Sequence, residues 1–323
     1  MNKFFNKFGF KCGLLILFAV AVYIPVIKAE FVKIDDPLLV TKNQALRNMG
    51  GLKAIWLDPA SQPLYCPLVS TAFWVEYRLW GLKPQGYHLV NIFFHAASAI
   101  LLLLILMRLS VPGALLASLI FLIHPLQVES LAWVSELKNV LSGFFCLAAV
   151  YAFLRCNPPD EKNVEPIPWR YYIISLFLFA CALLSKPTTS TTAPALLIVY
   201  WWKRGRITLR DVLLIAPMFI LGIAMGFLAV TIESSLNILD DIRAFNQRLN
   251  LDGSTFSIIE ICLIAGRAIW FYTSKLLWPI NLTCFYTPWK IDATSWSQYL
   301  YPATAIAAIV SLWGFRKKKT YKK

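Results

Sequence analysis

Charge is what this 323-residue sequence has least of. Only 15% of its residues are charged and 58% are hydrophobic, whereas a soluble domain carries about 25% charged residues. So few ionisable groups cannot coat an apolar mass of this size, which excludes a water-soluble globule and points to a multi-span membrane protein. Histidine is nearly absent, at three residues, and the seven cysteines contain no CxxC pair, the spacing that zinc and redox motifs use. Most of the cysteines lie in or beside apolar runs, where a thiol acts as a small hydrophobe. Cys66 and Cys284 fall in expected external segments, where pairing is chemically open. Internal repeats and low-complexity stretches are also missing.

What charge there is has a pattern. The net charge of +14 suggests nucleic acid until the positions are read. Lys3, Lys7 and Lys11 precede the first apolar run, Lys203, Arg204, Arg206 and Arg210 separate two others, and 316–323 is a basic tail. Basic residues at the ends of apolar runs are topology signals and contacts for anionic lipid, so no nucleic-acid partner is expected.

The apolar runs give the layout. Cys12–Ile27 is a first span or a secretion signal; Ile27, where a cleavage site wants a small residue, favours an uncleaved anchor. Helices are predicted near Leu68–Leu79 on the membrane surface, then over Tyr87–Met107, Ala114–Ile123, Val140–Leu154, Tyr171–Leu184, Ala193–Trp202 and Val212–Ile232. Pro112-Gly113 marks a turn, and Asn157–Pro168 reads as a cytoplasmic loop. Ser257–Trp278 is long enough to span but carries Glu260, Arg267 and Lys275. Laying it along the outer interface lets Tyr299–Phe315 cross inward and keeps the basic tail inside. The expectation is an all-α polytopic bundle of about eight spans plus interfacial helices. It forms one transmembrane domain over 1–315, with external loops about 30–86 and 233–298 and a cytoplasmic tail at 316–323.

Several segments can carry chemistry. Asp35 and Asp36 follow the first span. A carboxylate at a cavity mouth can serve as general base toward a hydroxyl, and adjacent residues of an extended segment point to opposite sides, so one of the two faces a substrate; a solvated loop is the plainer reading. A divalent cation on the pair is chemically open but not required, and no metal site is assigned. His124, Glu129, Glu136 and Lys138 crowd the next outer turn, with Glu129 and Glu136 expected on one helix face two turns apart; function and a local ion pair weigh equally. His88, Asn91 and His95 share a helical face. His88 and His95 lie about 10 Å apart at a 1.5 Å rise, too far for one ion, which favours hydrogen bonding between helices. Lys186, Arg267 and Lys275 can meet a phosphate or snorkel to headgroups. Trp74, Trp80 and Trp133 suit an interfacial belt.

In order along the chain, FVKIDDPLLV (31–40), YCPL (65–68), YRLWGLKPQGYHLVN (77–91), HA (95–96), HPLQVESLAWVSELKNVLSG (124–143), LSKP (184–187) and LLWPINLTCFY (276–286) resemble the membrane part of the tetratricopeptide-repeat O-mannosyltransferase-like proteins, of the GT-C glycosyltransferase superfamily, and their bacterial relatives. The resemblance implies a GT-C-like fold and inverting transfer of a sugar, mannose in that family, from a polyprenyl-phosphate carrier to a hydroxyl on an acceptor protein or glycan at the non-cytosolic face. It puts the catalytic acid on Asp35 or Asp36, with His124 and Glu129 as site wall. Lys138, Lys186 and Arg267 are candidate phosphate ligands. The bacterial inner membrane is favoured over the endoplasmic reticulum. Members of that family continue into more spans and a repeat array that this sequence lacks. The rival readings are therefore a non-catalytic scaffold or partner subunit of a split enzyme, and a lipid-linked sugar transporter.

Overall fold

The computed structural model describes residues 2–59, 64–159, 166–235, 257–287 and 289–319. The chain is an all-α helical membrane bundle, with no strand among the described residues. It divides into two compact units, 1–239 and 240–323, each of which is described by itself.

The first unit holds α1 (Asn2–Tyr23), α2 (Met49–Leu57), α3 (Pro67–Trp80), α4 (Pro84–Arg108), α5 (Ala114–Ile123), α6 (Gln127–Ala132), α7 (Leu137–Cys156), α8 (Trp169–Ser185), α9 (Thr192–Arg204) and α10 (Leu209–Ser235). Among the described residues four segments are long and apolar enough to cross a membrane: Phe8–Lys28, Pro84–Arg108, Val134–Cys156 and Leu209–Ile232; Ala114–Ile123 and Trp169–Ser185 are shorter apolar helices. The predicted helices fall inside these bounds to within a few residues. Local chemistry sets the ends. Proline at the first position starts α3 and α4, where its missing N–H has no helical partner to lose. Gly205, at φ 76°, stops α9 in the left-handed conformation glycine tolerates.

α7 is the hub, packing along α8 and α4. Phe153, Phe179, Leu196, Tyr200, Ile215 and Met218 fill the core among α7, α8, α9 and α10. Leu15, Ala99, Leu103 and Leu122 join α1, α4 and α5. A third cluster, with Val40, Phe73, Tyr87, Val134 and Leu137, lies at the end of α7 where the acidic doublet sits. At the far end of α7 the carboxylate of Asp211 is wholly buried and accepts from Asn157 Nδ2, Arg204 Nη1 and the backbone and hydroxyl of Thr208, at 2.6 to 2.9 Å. Outward, Phe93, Leu116, Phe177, Ile223 and Phe227 are more than half exposed, which suits contact with acyl chains.

The histidine face of α4 follows the interhelical reading. His88, Asn91 and His95 are buried. His88 meets the carbonyls of Leu131 and Ala29, Asn91 donates to Trp133 O, and His95 Nε2 lies 2.9 Å from Leu122 O. Tyr23 donates to the same Leu122 carbonyl at 2.7 Å, tying α1 to α5. Such bonds contribute about 0.6 kcal/mol each inside a bilayer, so the packed side chains carry most of the cohesion.

One expectation fails. Glu129 and Glu136 are not on one helix face: α6 ends at Ala132, Trp133 is extended (φ −108°, ψ 116°), and Val134–Glu136 forms a separate single turn. The break turns the Ser135 N–H out of any helix and toward Asp36.

The second unit contains α11 (Ile258–Leu277) and α12 (Leu300–Lys319), packed on each other. A reciprocal box starts α11: the Ser257 hydroxyl accepts from the Glu260 N–H while the Glu260 carboxylate accepts from the Ser257 N–H. α11 is not among the four segments that meet the spanning criteria. The loop at 157–168, the external region 233–298 and the tail 316–323 lie only partly within the described residues.

Candidate active site

The two aspartates have opposite surroundings. Asp36 is wholly buried. Its Oδ2 accepts from the Val32 N–H at 2.7 Å and its Oδ1 from the Ser135 N–H at 2.8 Å. Both oxygens are therefore committed to backbone, and the residue clamps the loop after α1 to the turn before α7. Pro37 follows and opens a short helical turn, Pro37–Thr41, directly after Asp36; a proline at that position offers no N–H to compete for the carboxylate.

Asp35 faces the other way, its side chain 39% exposed. The carbonyl of Asp35 accepts from Leu38 and Leu39, which fixes the backbone and leaves the carboxylate to its own contacts. Its Oδ2 stands 3.6 Å from Lys138 Nζ, an ion-pair separation beyond hydrogen-bond reach. Lys138 sits closer to Glu136, at 2.9 Å. Glu136 in turn accepts from Asn139 Nδ2, and Asn139 Oδ1 accepts from Lys186 Nζ. The result is one polar chain, Asp35–Lys138–Glu136–Asn139–Lys186, drawn from the loop after α1, the start of α7 and the end of α8. Three of its members fall within four residues, because Glu136 directly precedes α7 while Lys138 and Asn139 lie in its first turn.

Charges in this chain are balanced link by link except at its ends. Glu136 is the closer anion to Lys138, so one oxygen of Asp35 remains without a partner among the described contacts. At the other end, the Lys186 ammonium meets only the neutral amide of Asn139 among the described residues. A carboxylate with an open oxygen and an ammonium with no counter-ion thus stand at the two ends of one relay. Such an arrangement can take a proton at one end and hold an anion at the other.

The remaining expected site residues divide. Lys138 and Lys186 join the relay. His124 accepts from the Leu126 N–H at 3.3 Å and fixes the turn after α5. Glu129 is exposed on α6. Neither belongs to the relay. Arg267 lies in the second unit.

Three participants escaped the sequence reading. Asn139 is the link that joins Glu136 to Lys186. Ser135 supplies a backbone donor that no side-chain motif reveals. Glu76, on α3, is 3% exposed, and neither of its oxygens has a hydrogen-bond partner among the described residues. It acts electrostatically on Tyr87, and burial pushes its carboxyl well above the usual carboxylate range. The signal for Glu76 was present as a lone acid inside the apolar run LVSTAFWVEYRLW.

No family model and no solved structure matches the chain. Curated relatives do. Human protein O-mannosyl-transferase TMTC3 is 32% identical over 162 residues, covering 47% of this chain and 17% of that protein. Protein O-mannosyl-transferase tmtc2 of Xenopus laevis is 30% identical over 129 residues, covering 39% and 15%. Drosophila melanogaster Tmtc1 is 30% identical over 137 residues, covering 42% and 15%. The matched part spans less than a fifth of the length of each of these relatives. Over just under half of its own length, this helical membrane chain is similar to the TMTC protein O-mannosyl-transferases.

Proposed function

We propose that the chain is a membrane glycosyltransferase that moves a sugar from a polyprenyl-phosphate carrier to an acceptor hydroxyl on a protein or glycan at the non-cytosolic face. The observation that carries this reading is the relay, with the open oxygen of Asp35 at one end and the uncompensated ammonium of Lys186 at the other. In the proposed step the acceptor oxygen attacks the anomeric carbon and gives its proton to Asp35. The bond from that carbon to the phosphate oxygen breaks, and the electron pair leaves with the polyprenyl phosphate. Lys186, supported by Lys138, stabilises the charge that builds on the departing phosphate. Asp36 acts as a positioning residue through its two backbone bonds. The names of the relatives support transfer to protein, and the apolar outer surface of the bundle supports a carrier with a lipid tail.

Membranes holding a labelled polyprenyl-phosphate-sugar pool test the proposal. Wild type is expected to transfer label, and Asp35→Asn to lose transfer by a factor on the order of 10² to 10⁴, the contribution of a general base. Undiminished transfer by Asp35→Asn, Asp36→Asn and the double variant would remove the base from this site.

A second reading, a non-catalytic membrane subunit, draws on the ion pair between Asp35 and Lys138, which gives the carboxylate a purely structural contact to keep. It predicts binding of the carrier with no transfer by wild type.

A further inference from the structure

The second unit holds a cleft of about 610 Å³ lined by Arg267, Trp270, Ser297, Gln298, Tyr301 and Thr304, among others. Among the described residues that line it, Arg267 is the only cation and none is acidic. The guanidinium is 4.8 Å from the Trp289 ring centroid and 5.5 Å from that of Tyr301, so aromatic surfaces hold it in place. Its N–H donors have neither a carboxylate nor a hydrogen-bond acceptor among the described residues. The described acids of this unit are both engaged elsewhere: Glu260 in the box that starts α11, and Asp292 by Thr294.

Most of the other polar groups of the cleft are spent, the Tyr301 hydroxyl apart. Trp270 Nε1 donates to Tyr301 O, the Thr304 hydroxyl to Leu300 O, and Gln298 Nε2 to Lys290 O. What the cleft still offers is a planar fork of donors with no acceptor, which matches the paired oxygens of a phosphate. The surrounding surface says what the phosphate is attached to. α11 exposes Ile258, Ile261, Ile269 and Leu276, and α12 exposes Ile306 and Ile309, each by half or more. Helices with such faces rest in acyl chains, so the anion arrives on an amphiphile.

We infer that this cleft binds the phosphodiester of an anionic membrane phospholipid, with Arg267 as its phosphate ligand. The inference stands without the transfer reading, since it concerns retention of lipid and not turnover.

The full chain in non-ionic detergent, examined by native mass spectrometry, tests it with phosphatidylglycerol, with diacylglycerol of the same tails, and with inorganic phosphate. Wild type is expected to retain phosphatidylglycerol at least tenfold better than diacylglycerol, and to show no retained inorganic phosphate. Arg267→Gln is expected to lose the preference, and Lys53→Gln, at an exposed cation of the first unit, to keep it. Phenylglyoxal modification mapped to Arg267 in the wild-type chain gives a measure that needs no variant: phosphatidylglycerol should protect the residue and diacylglycerol should not. Equal retention of the two lipids, unprotected Arg267, or an unchanged preference in Arg267→Gln overturns the inference. Retention of inorganic phosphate matching that of phosphatidylglycerol assigns a free-anion site and overturns the lipid.

Discussion

Asp36 has two backbone donors on it, and Asp35 has one long ion pair and an open oxygen. Neutralising each should therefore fail differently. Asp36→Ala leaves the Val32 and Ser135 N–H groups without their acceptor, at a cost of about 1–3 kcal/mol per buried group left unsatisfied, and should lower the melting temperature. Asp35→Asn should leave melting nearly unchanged while transfer falls, and differential scanning fluorimetry beside the transfer assay separates the two. Glu76 gives a second prediction at this scale. Its folded carboxyl holds a proton more tightly than the unfolded chain does, because burial penalises the ion. The stabilisation it contributes is thus complete below the unfolded value near 4.5 and declines as pH rises toward its raised folded value. The melting temperature of Glu76→Gln relative to wild type should therefore be higher at about pH 8 than at about pH 5. An equal difference at both would place the titration elsewhere.

Elements meet here through small residues and broken helices. At Gly266 on α11 an added Cβ would stand 2.6 Å from the backbone nitrogen of Pro302 on α12, closer than the two backbones allow. Gly266→Ala should separate the helices, with a loss of about 1–3 kcal/mol from overpacking. The check is the melting of the second unit, followed through an environment-sensitive probe near Trp270, while the phosphatidylglycerol preference falls with it. The break at Trp133 matters as much. A continuous helix from Gln127 to Cys156 would keep the Ser135 N–H inside its own ladder, and Asp36 would lose a partner. Helix extents were legible from apolar periodicity, since α4, α5, α8 and α9 begin and end within a few residues of where proline, glycine and charge put them. The break was not, because WVSEL carries no proline or glycine and only the distant Asp36 carboxylate makes a broken turn favourable.

Across the whole molecule the testable claim is sidedness. If the relay end of α7 is outside, a cysteine at Glu30→Cys should react with an impermeant maleimide in sealed vesicles oriented as in cells, and one at Arg206→Cys should react only after permeabilisation. The reverse pattern would contradict both the topology and the lipid-carrier geometry. The sequence by itself determined that this is a helical membrane chain, where most of its helices run, and that an acidic doublet follows the first span. Those properties follow from local composition and from the positions where charge interrupts apolar runs, which need no partner in space. Tertiary structure alone decided which aspartate is buried, that Lys138 and Lys186 join through Glu136 and Asn139, and that Glu129 stands apart from Glu136. Each depends on which distant N–H, ammonium or amide is brought within about 3 Å, a distance set by the packing of α4, α7 and α8 and not by the spacing of residues along the chain.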